Sequence, residues 1–470
     1  MSLTLRSLNL RLLPVQIGIL VCFALMTTWL RMPVALFGLT NYYNARFSLL
    51  VAMLVTIALW FATGMPGFRR MARSRTRALF MLTLLILVIW AYMSGAWAYV
   101  ASTRPHIASN AALAWTVAAL FVVVVASAAP TPRAVVGVLV ACITIVALIT
   151  IAQSVQQRSL GLYSLGEFTF FAGRDGVSIL NAGEQRYVRP YGLYPHPNML
   201  GGLLMTGVLL VASVLLSERK VLIPEDREKE AGEDGHRGAT RRLLSPLPVS
   251  SRLNTLFSLS LLASLAFIFY ALLLTFSRAA WIGLAAGAVA LLPHVRLRVW
   301  RLLPLVAIAV VVGGAFVWQY RPLLAVRTGV ATESIELRSV ADRVVYTDFA
   351  LRAIEEQPLL GQGAGNFPWR AAAYIEETFF DLKGDHVHHV FLGVWAELGA
   401  VGFGLFVLAL ALGVEASLRA MRKRAGYILP LPAVIAFAVV GLFDHYPYSQ
   451  LPFMALWWGM LAAAAYEPAG

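Results

Sequence analysis

Long apolar runs recur along this chain, parted mostly by short polar segments. A helix needs roughly 17 to 25 apolar residues to cross a bilayer, where lipid leaves every backbone group to be satisfied within the segment. The pattern predicts such spans near residues 12–30, 47–66, 78–98, 110–129, 134–153, 199–216, 255–275, 278–293, 302–319, 388–416, 428–443 and 451–466. Only Ser277 and Arg278 part the seventh from the eighth. The expectation is an all-α, polytopic membrane protein with about 12 transmembrane helices and a long outer loop between spans 9 and 10.

The runs divide the chain into five parts. Residues 1–153 carry spans 1–5, 154–198 form a first long outer segment, and 199–319 carry spans 6–9 with a charged loop at 217–254. A second outer segment, the cap, covers 320–387, and spans 10–12 fill 388–470. The inner loop contains IPEDREKEAGEDGHRGATRR, whose charge density reads as a solvated connector. Within the cap, SIELRSVADRVVYTDFALRAIEE places Leu337, Val340, Val344, Thr347 and Leu351 at helical spacing, which predicts an amphipathic helix.

Charge then orients the chain. Alternate segments collect Arg6 and Arg11, then Arg69, Arg70, Arg73, Arg75 and Arg77, then Arg133, the basic residues from Arg219 to Arg252, Arg296 with Arg298 and Arg301, and Arg419 to Arg424. The cap lies on the other side and has seven basic against ten acidic residues. The positive-inside rule therefore predicts both termini in the cytoplasm and both long segments outside.

Composition agrees: the chain is 59% hydrophobic and 13% charged. The formal charge of +14 is scattered among short loops, so it is read as membrane orientation and not as a nucleic-acid surface. Cys22 and Cys142 both lie inside apolar runs and form no CxxC motif or disulfide framework. The first run, flanked by Arg11 and Arg31, lacks a small-residue cleavage site and reads as a retained span.

Four polar motifs fall at the predicted outer face. RPYGLYPHPNMLGG, 189–202, enters span six; its prolines hold Arg189 and His196 on an irregular entrance. TFSRAAW, 275–281, sets Arg278 between two apolar runs. A charge at the bilayer centre costs about 2.5–3.5 kcal/mol, so this arginine belongs at the rim or beside a polar cavity. DRVVYTDFALRAIEEQPLLGQGAGNF, 342–367, carries Arg343 into a glycine turn whose spacing is not that of a dinucleotide fingerprint. GDHVHHVFLGVWAELG, 384–399, puts His386, His388 and His389 where the cap returns to the membrane. On a helix from His388, the residues Leu392, Trp395 and Gly399 share its face while Glu397 points nearly opposite, so His388 and Glu397 are not expected to be partners. Asp385 with the three histidines offers metal-ligand types, yet adjacent histidines on a helix diverge and no HExxH spacing appears; no metal is expected.

These motifs, taken in order from about residue 180 to 450 and ending with GLFDHYPY at 441–448, resemble the O-antigen ligase and polymerase superfamily. Members are multispanning bacterial enzymes that handle undecaprenyl-diphosphate-linked glycans. By register with FLGVWAELG, the resemblance makes His388 the catalytic histidine and puts His389 where the family has asparagine. It carries the essential arginines onto Arg189, Arg278 and Arg343 as diphosphate-binding residues, with Asp444 at an acidic position and His196 in support. It implies inverting, metal-independent glycosyl transfer without a cofactor, from an undecaprenyl-diphosphate-linked donor to lipid A-core or another glycan acceptor. The reaction would run among membrane lipids at the outer face of the bacterial cytoplasmic membrane.

The chemistry is coherent with that resemblance. Guanidinium groups match phosphate oxygens bidentately at any biological pH, and an imidazole with an ordinary pKa near 6.5 can take the acceptor's hydroxyl proton. Two further readings compete. A polymerase would move a growing glycan onto another lipid-linked unit, and the motifs do not separate it from a ligase. A transporter would place ionisable residues near the bilayer midplane in two related halves. Here the interiors of spans two to five hold almost no charge and no half-to-half similarity is visible. A structural scaffold would leave Arg278 and the histidines without a purpose.

Overall fold

The computed structural model describes residues 12–30, 44–183, 185–216, 249–294, 299–327, 334–376, 384–423 and 430–466. The charged stretch 217–248 lies outside them. The first half contains α1 (Leu13–Leu25), α2 (Asn44–Ala62), α3 (Phe68–Arg73), α4 (Arg75–Met93), α5 (His106–Ala128), α6 (Pro132–Gln156), β1 (Ile179–Ala182), β2 (Gln185–Val188) and α7 (Pro197–Leu216). The second half contains α8 (Val249–Leu274), α9 (Arg278–Leu291), α10 (Leu303–Gln319), α11 (Arg321–Arg327), α12 (Ser334–Glu356), α13 (Phe367–Glu376), α14 (Val390–Lys423), α15 (Leu431–Val440), α16 (Tyr446–Ser449) and α17 (Leu451–Ala465).

Every predicted apolar run coincides with one of these helices, but they differ in length. Among the described residues six helices are long and apolar enough to cross a membrane, or seven if α10 and α11, bent by 89° at Tyr320, count as one span. The apolar segments Leu13–Leu25, Ser48–Ala62, Arg278–Leu291, Leu431–Val440 and Leu451–Ala465 are shorter, at 10–17 residues. The protein is thus a multi-pass membrane protein, with an expected count of twelve that includes five short helices.

A sequence that is apolar all round makes a helix buried on all sides. That is the case for α7, where 89% of the spanning window is buried, against 28% for α8. Small residues let neighbours approach α7 closely. A Cβ on Gly202 would sit 2.0 Å from the Tyr446 hydroxyl, and one on Gly201 would sit 2.8 Å from Cβ of Ser277. The first turn of α7 is therefore clasped between α16 and the α8–α9 junction.

The all-α expectation needs one amendment. The segment before α7 forms an antiparallel hairpin, with Ile179 opposite Val188 and Ala182 opposite Gln185. Leu180 and Tyr187 share its buried face and pack with Leu274, Phe276, Phe316 and Leu323. Such a hairpin is too short to show a periodic signal and depends on the helices beneath it.

In the cap, α12 covers the predicted amphipathic segment, but it buries a different face. Tyr346, Phe349, Ala350 and Ala353 pack against Phe367, Ala371 and Tyr374 of α13 and Ala396 of α14. Val344 and Leu351, from the expected apolar stripe, are 64% and 46% exposed; the side chains of Leu337 and Val340 are outside the described set. Two aromatic rings bury more area than a valine and a leucine, and the two alanines allow the backbones to come close.

The glycine turn explains how the cap is anchored. α14 is broken at Gly399, whose φ of 67° and ψ of −176° suit glycine alone. A break inside an apolar helix frees backbone groups that lipid cannot satisfy. The 358–363 loop supplies partners: Gln362 N–H donates to Ala396 O and Gly363 N–H to Glu397 O, both at 2.8 Å, and Ala400 N–H donates to Pro358 O at 2.9 Å. Trp90 Nε1 completes the set by donating to Leu398 O at 2.8 Å. The glycine turn, whose spacing is not that of a dinucleotide loop, is a plug for a helix break.

Candidate active site

The break between α8 and α9 carries the first part of the site. Phe276 sits there with φ of 49°, a left-handed conformation rare for a bulky residue. It is held by packing against Tyr187, Trp281, Phe316 and Tyr320. The carbonyls released at the end of α8 point to two arginines, which are favoured at a helix C-terminus. Arg189 Nε donates to Thr275 O at 2.6 Å, and Arg327 Nε donates to Phe276 O at 3.0 Å. Arg278 Nη1 in turn donates to Arg327 O at 3.1 Å.

Arg189 is 3% exposed and bonded on all sides: Nη1 donates to Ser178 Oγ at 2.9 Å and Nη2 to Asn198 Oδ1 at 2.8 Å. With its oxygen so engaged, Asn198 turns its amide N–H toward Asp444, donating to Oδ2 at 3.1 Å. The entrance loop that carries Arg189 is fixed from α6. Gln153 Oε1 accepts from the N–H groups of Tyr191 and Gly192, and its Nε2 donates to Gly192 O and to the buried Glu167. The proline-rich stretch then ends at His196, whose Nδ1 accepts from Asn198 N–H at 3.1 Å and caps α7.

The second part is the mouth of α14 and the turn before α16. Val390 N–H donates to Gly441 O at 2.6 Å, which brings the GLFDHYPY turn against the histidines. The three histidines separate into distinct tasks. His389 Nδ1 accepts from Leu392 N–H at 3.1 Å, a helix cap. His386 Nδ1 lies 3.3 Å from the Tyr448 hydroxyl and 3.8 Å from Oε1 of the buried Glu397. His388 is half-buried, and its Nδ1 is enclosed without a hydrogen-bond partner among the described residues.

His388 faces a charged neighbourhood. Its ring meets His445 edge-on at a centroid separation of 5.3 Å and approaches Tyr346 of α12 at 6.3 Å. His445 also stacks on His386 at 5.0 Å. Burial raises the Asp444 carboxyl, but His445, His388, His196 and Arg343 together hold it below its ordinary value, so it is ionised at neutral pH. Burial pushes His445 down to about 4, with the Asp444 charge opposing, so its ring is neutral at pH 7. Arg343, on the cap helix α12, acts electrostatically on both Asp444 and His196.

The structure therefore brings together Arg189, His196, Arg343, His388 and Asp444, which the sequence places as far as 255 residues apart. Arg278 shares their end of α7 through the packing of Ser277 and Ala280 on Gly201, while its side chain reaches toward Arg327. Glu397 is turned to His386 and not to His388, as expected. Sequence reasoning missed Asn198, His445 and Arg327. Asn198 and His445 each adjoin or closely follow a residue that was singled out, within PHPN and FDHY, whereas nothing in the pattern around Arg327 distinguishes it. Among the described residues, the group with cation-ligand geometry is not Asp385 with His386, His388 and His389 but His388, Asp444 and His445, whose ligand atoms lie within 4.8 Å of one another.

Residues 263–407 match the family model described as O-antigen ligase. The matched stretch contains Arg278, Arg343 and His388, whereas Arg189, His196 and Asp444 lie outside it. The resemblance to the O-antigen ligase and polymerase superfamily is thereby borne out. Comparison with curated proteins gives no match.

Proposed function

We propose that, with an O-antigen ligase domain over residues 263–407, this protein transfers a glycan from a lipid-diphosphate carrier to a hydroxyl acceptor at the outer face of the bacterial cytoplasmic membrane. The donor is an undecaprenyl-diphosphate-linked glycan and the acceptor is lipid A-core or a related glycan. The observation that carries this reading is the division of labour among the histidines. His196 and His389 are committed to capping helices, while His388 keeps a buried Nδ1 that has no hydrogen-bond partner among the described residues, beside Asp444. A buried polar atom left unpaired costs about 1–3 kcal/mol, which is tolerated where a substrate supplies the partner.

In this mechanism the acceptor hydroxyl attacks the anomeric carbon from the face opposite the diphosphate. The new C–O bond forms as the bond to the diphosphate oxygen breaks, the electron pair leaves with the diphosphate, and His388 takes the hydroxyl proton. The configuration inverts and no covalent enzyme intermediate forms. Asp444 stabilises the imidazolium as it develops, a term worth more in an enclosed site than in water. Arg343 and Arg278 meet the charge that grows on the diphosphate. Arg189 stands behind them and acts through Asn198, which it orients toward Asp444.

The test is transfer in reconstituted membranes with a lipid-diphosphate glycan and candidate acceptors, for wild type and a folded His388→Ala protein. Removing a general base is expected to lower the rate about 10²- to 10⁴-fold. Equal rates would refute the base assignment. The molecule that accepts the glycan separates a ligase from a polymerase, since a polymerase extends a second lipid-linked unit. Net movement of substrate without a new glycosidic bond would establish a transporter instead.

A further inference from the structure

We propose that His388, Asp444 and His445 bind one divalent cation of the nitrogen-preferring Zn²⁺ class, and that its occupancy reversibly blocks transfer. The binding half stands on geometry; the blocking half rests on the reading of His388 as the base.

The three side chains present ligand atoms within 4.8 Å of one another. In a tetrahedral site with bonds of about 2.0–2.1 Å, ligand atoms lie about 3.3–3.4 Å apart. Closing the cluster on a cation thus needs inward shifts of no more than about 1.5 Å, within the reach of side-chain torsions. Two imidazoles and one carboxylate form a donor set that suits Zn²⁺, Cu²⁺ or Ni²⁺ and not Mg²⁺ or Ca²⁺, which prefer oxygen cages. Three protein ligands also leave a fourth position open to water or to a substrate oxygen.

The surroundings are built in the way such sites require, with each ligand oriented by a second partner. His445 Nδ1 pairs with Ser449 Oγ at 2.7 Å, which leaves Nε2 as the nitrogen available to a cation. Asp444 Oδ1 accepts from His445 N–H at 2.9 Å and Oδ2 from Asn198 Nδ2 at 3.1 Å, so each oxygen retains a further lone pair. His388, whose Nδ1 has no hydrogen-bond partner among the described residues, supplies the third ligand of the cluster. A bound cation occupies a nitrogen lone pair of His388, and the ring can then take no proton from the acceptor. The positive charge of Arg343 opposes the cation and keeps the site reversible.

The experiment uses the purified full-length protein in detergent, stripped with a chelator, free of any histidine tag and titrated with Co²⁺ alone. About one equivalent is expected to produce visible bands of tetrahedral nitrogen and oxygen coordination, and Zn²⁺ is expected to abolish them. No bands in the wild-type protein would overturn the site without recourse to any variant, as would bands that persist unchanged in His445→Ala. Ser449→Ala should weaken Zn²⁺ binding about tenfold by releasing the His445 ring. In the transfer assay, Zn²⁺ should stop turnover and a chelator restore it; turnover unaffected at a concentration that displaces Co²⁺ would overturn the blocking half. A normal Co²⁺ spectrum with no transfer to any acceptor would refute the transferase reading alone.

Discussion

Replacing Arg189 by lysine keeps the charge and removes the fork. The guanidinium reaches three acceptors from three different nitrogens: Thr275 O, Ser178 Oγ and Asn198 Oδ1. A lysine ammonium is a point donor on a narrower stem and can keep one of them. Each bond from a charged donor is worth about 1.5–3 kcal/mol, so losing two costs about 3–6 kcal/mol. A typical native state is stable by about 5–15 kcal/mol, so the loss is large. It also reaches the reaction centre: Asn198 no longer has a reason to aim its N–H at Asp444, 3.1 Å away. Arg189→Lys should therefore lower the unfolding temperature in detergent by several degrees and lower kcat measured well below that temperature. An unchanged unfolding temperature with only a raised KM for the lipid-linked donor would refute the argument and place Arg189 directly on the diphosphate.

Three more outcomes follow from the geometry. His389→Ala should cost about 1 kcal/mol through the lost α14 cap and leave most of the transfer activity, in contrast to His388→Ala; a His389→Ala protein as inactive as His388→Ala in the same assay would show that the caps were misassigned. Gly399→Ala forces a side chain into a glycine-only conformation, costing about 1–3 kcal/mol before its Cβ meets Leu359 O at 2.1 Å. The 358–366 loop should then become sensitive to protease, and undiminished resistance would count against its role as a plug. Acidification should weaken the protein between pH 6.5 and about 4. In that window the unfolded chain protonates His445 while the folded ring, pushed down to about 4, stays neutral. The stabilisation is complete above pH 6.5 and lost as the pH falls, and His445→Gln should flatten the profile of unfolding temperature against pH; a profile unchanged by that substitution would exclude His445 as the cause.

What the sequence determined by itself was the set of apolar helices and most of the residues proposed for the site. Runs of apolar residues have no stable alternative in lipid to a hydrogen-bonded helix, so the helices were legible from the pattern, the shorter ones included. Arg189, His196, Arg343, His388 and Asp444 were legible because charged and imidazole groups beside apolar runs must find partners or a function. Tertiary structure alone decided what each of them touches. Which carbonyl a guanidinium caps, which histidine caps a helix and which is left for chemistry depend on contacts between segments such as Asn198 and Asp444, 246 residues apart. The face α12 buries, the loop that plugs α14 at Gly399 and the hairpin before α7 belong to the same class. Their hydrogen bonds and buried surface exist only once the distant partner is in place, and no local propensity encodes that partner.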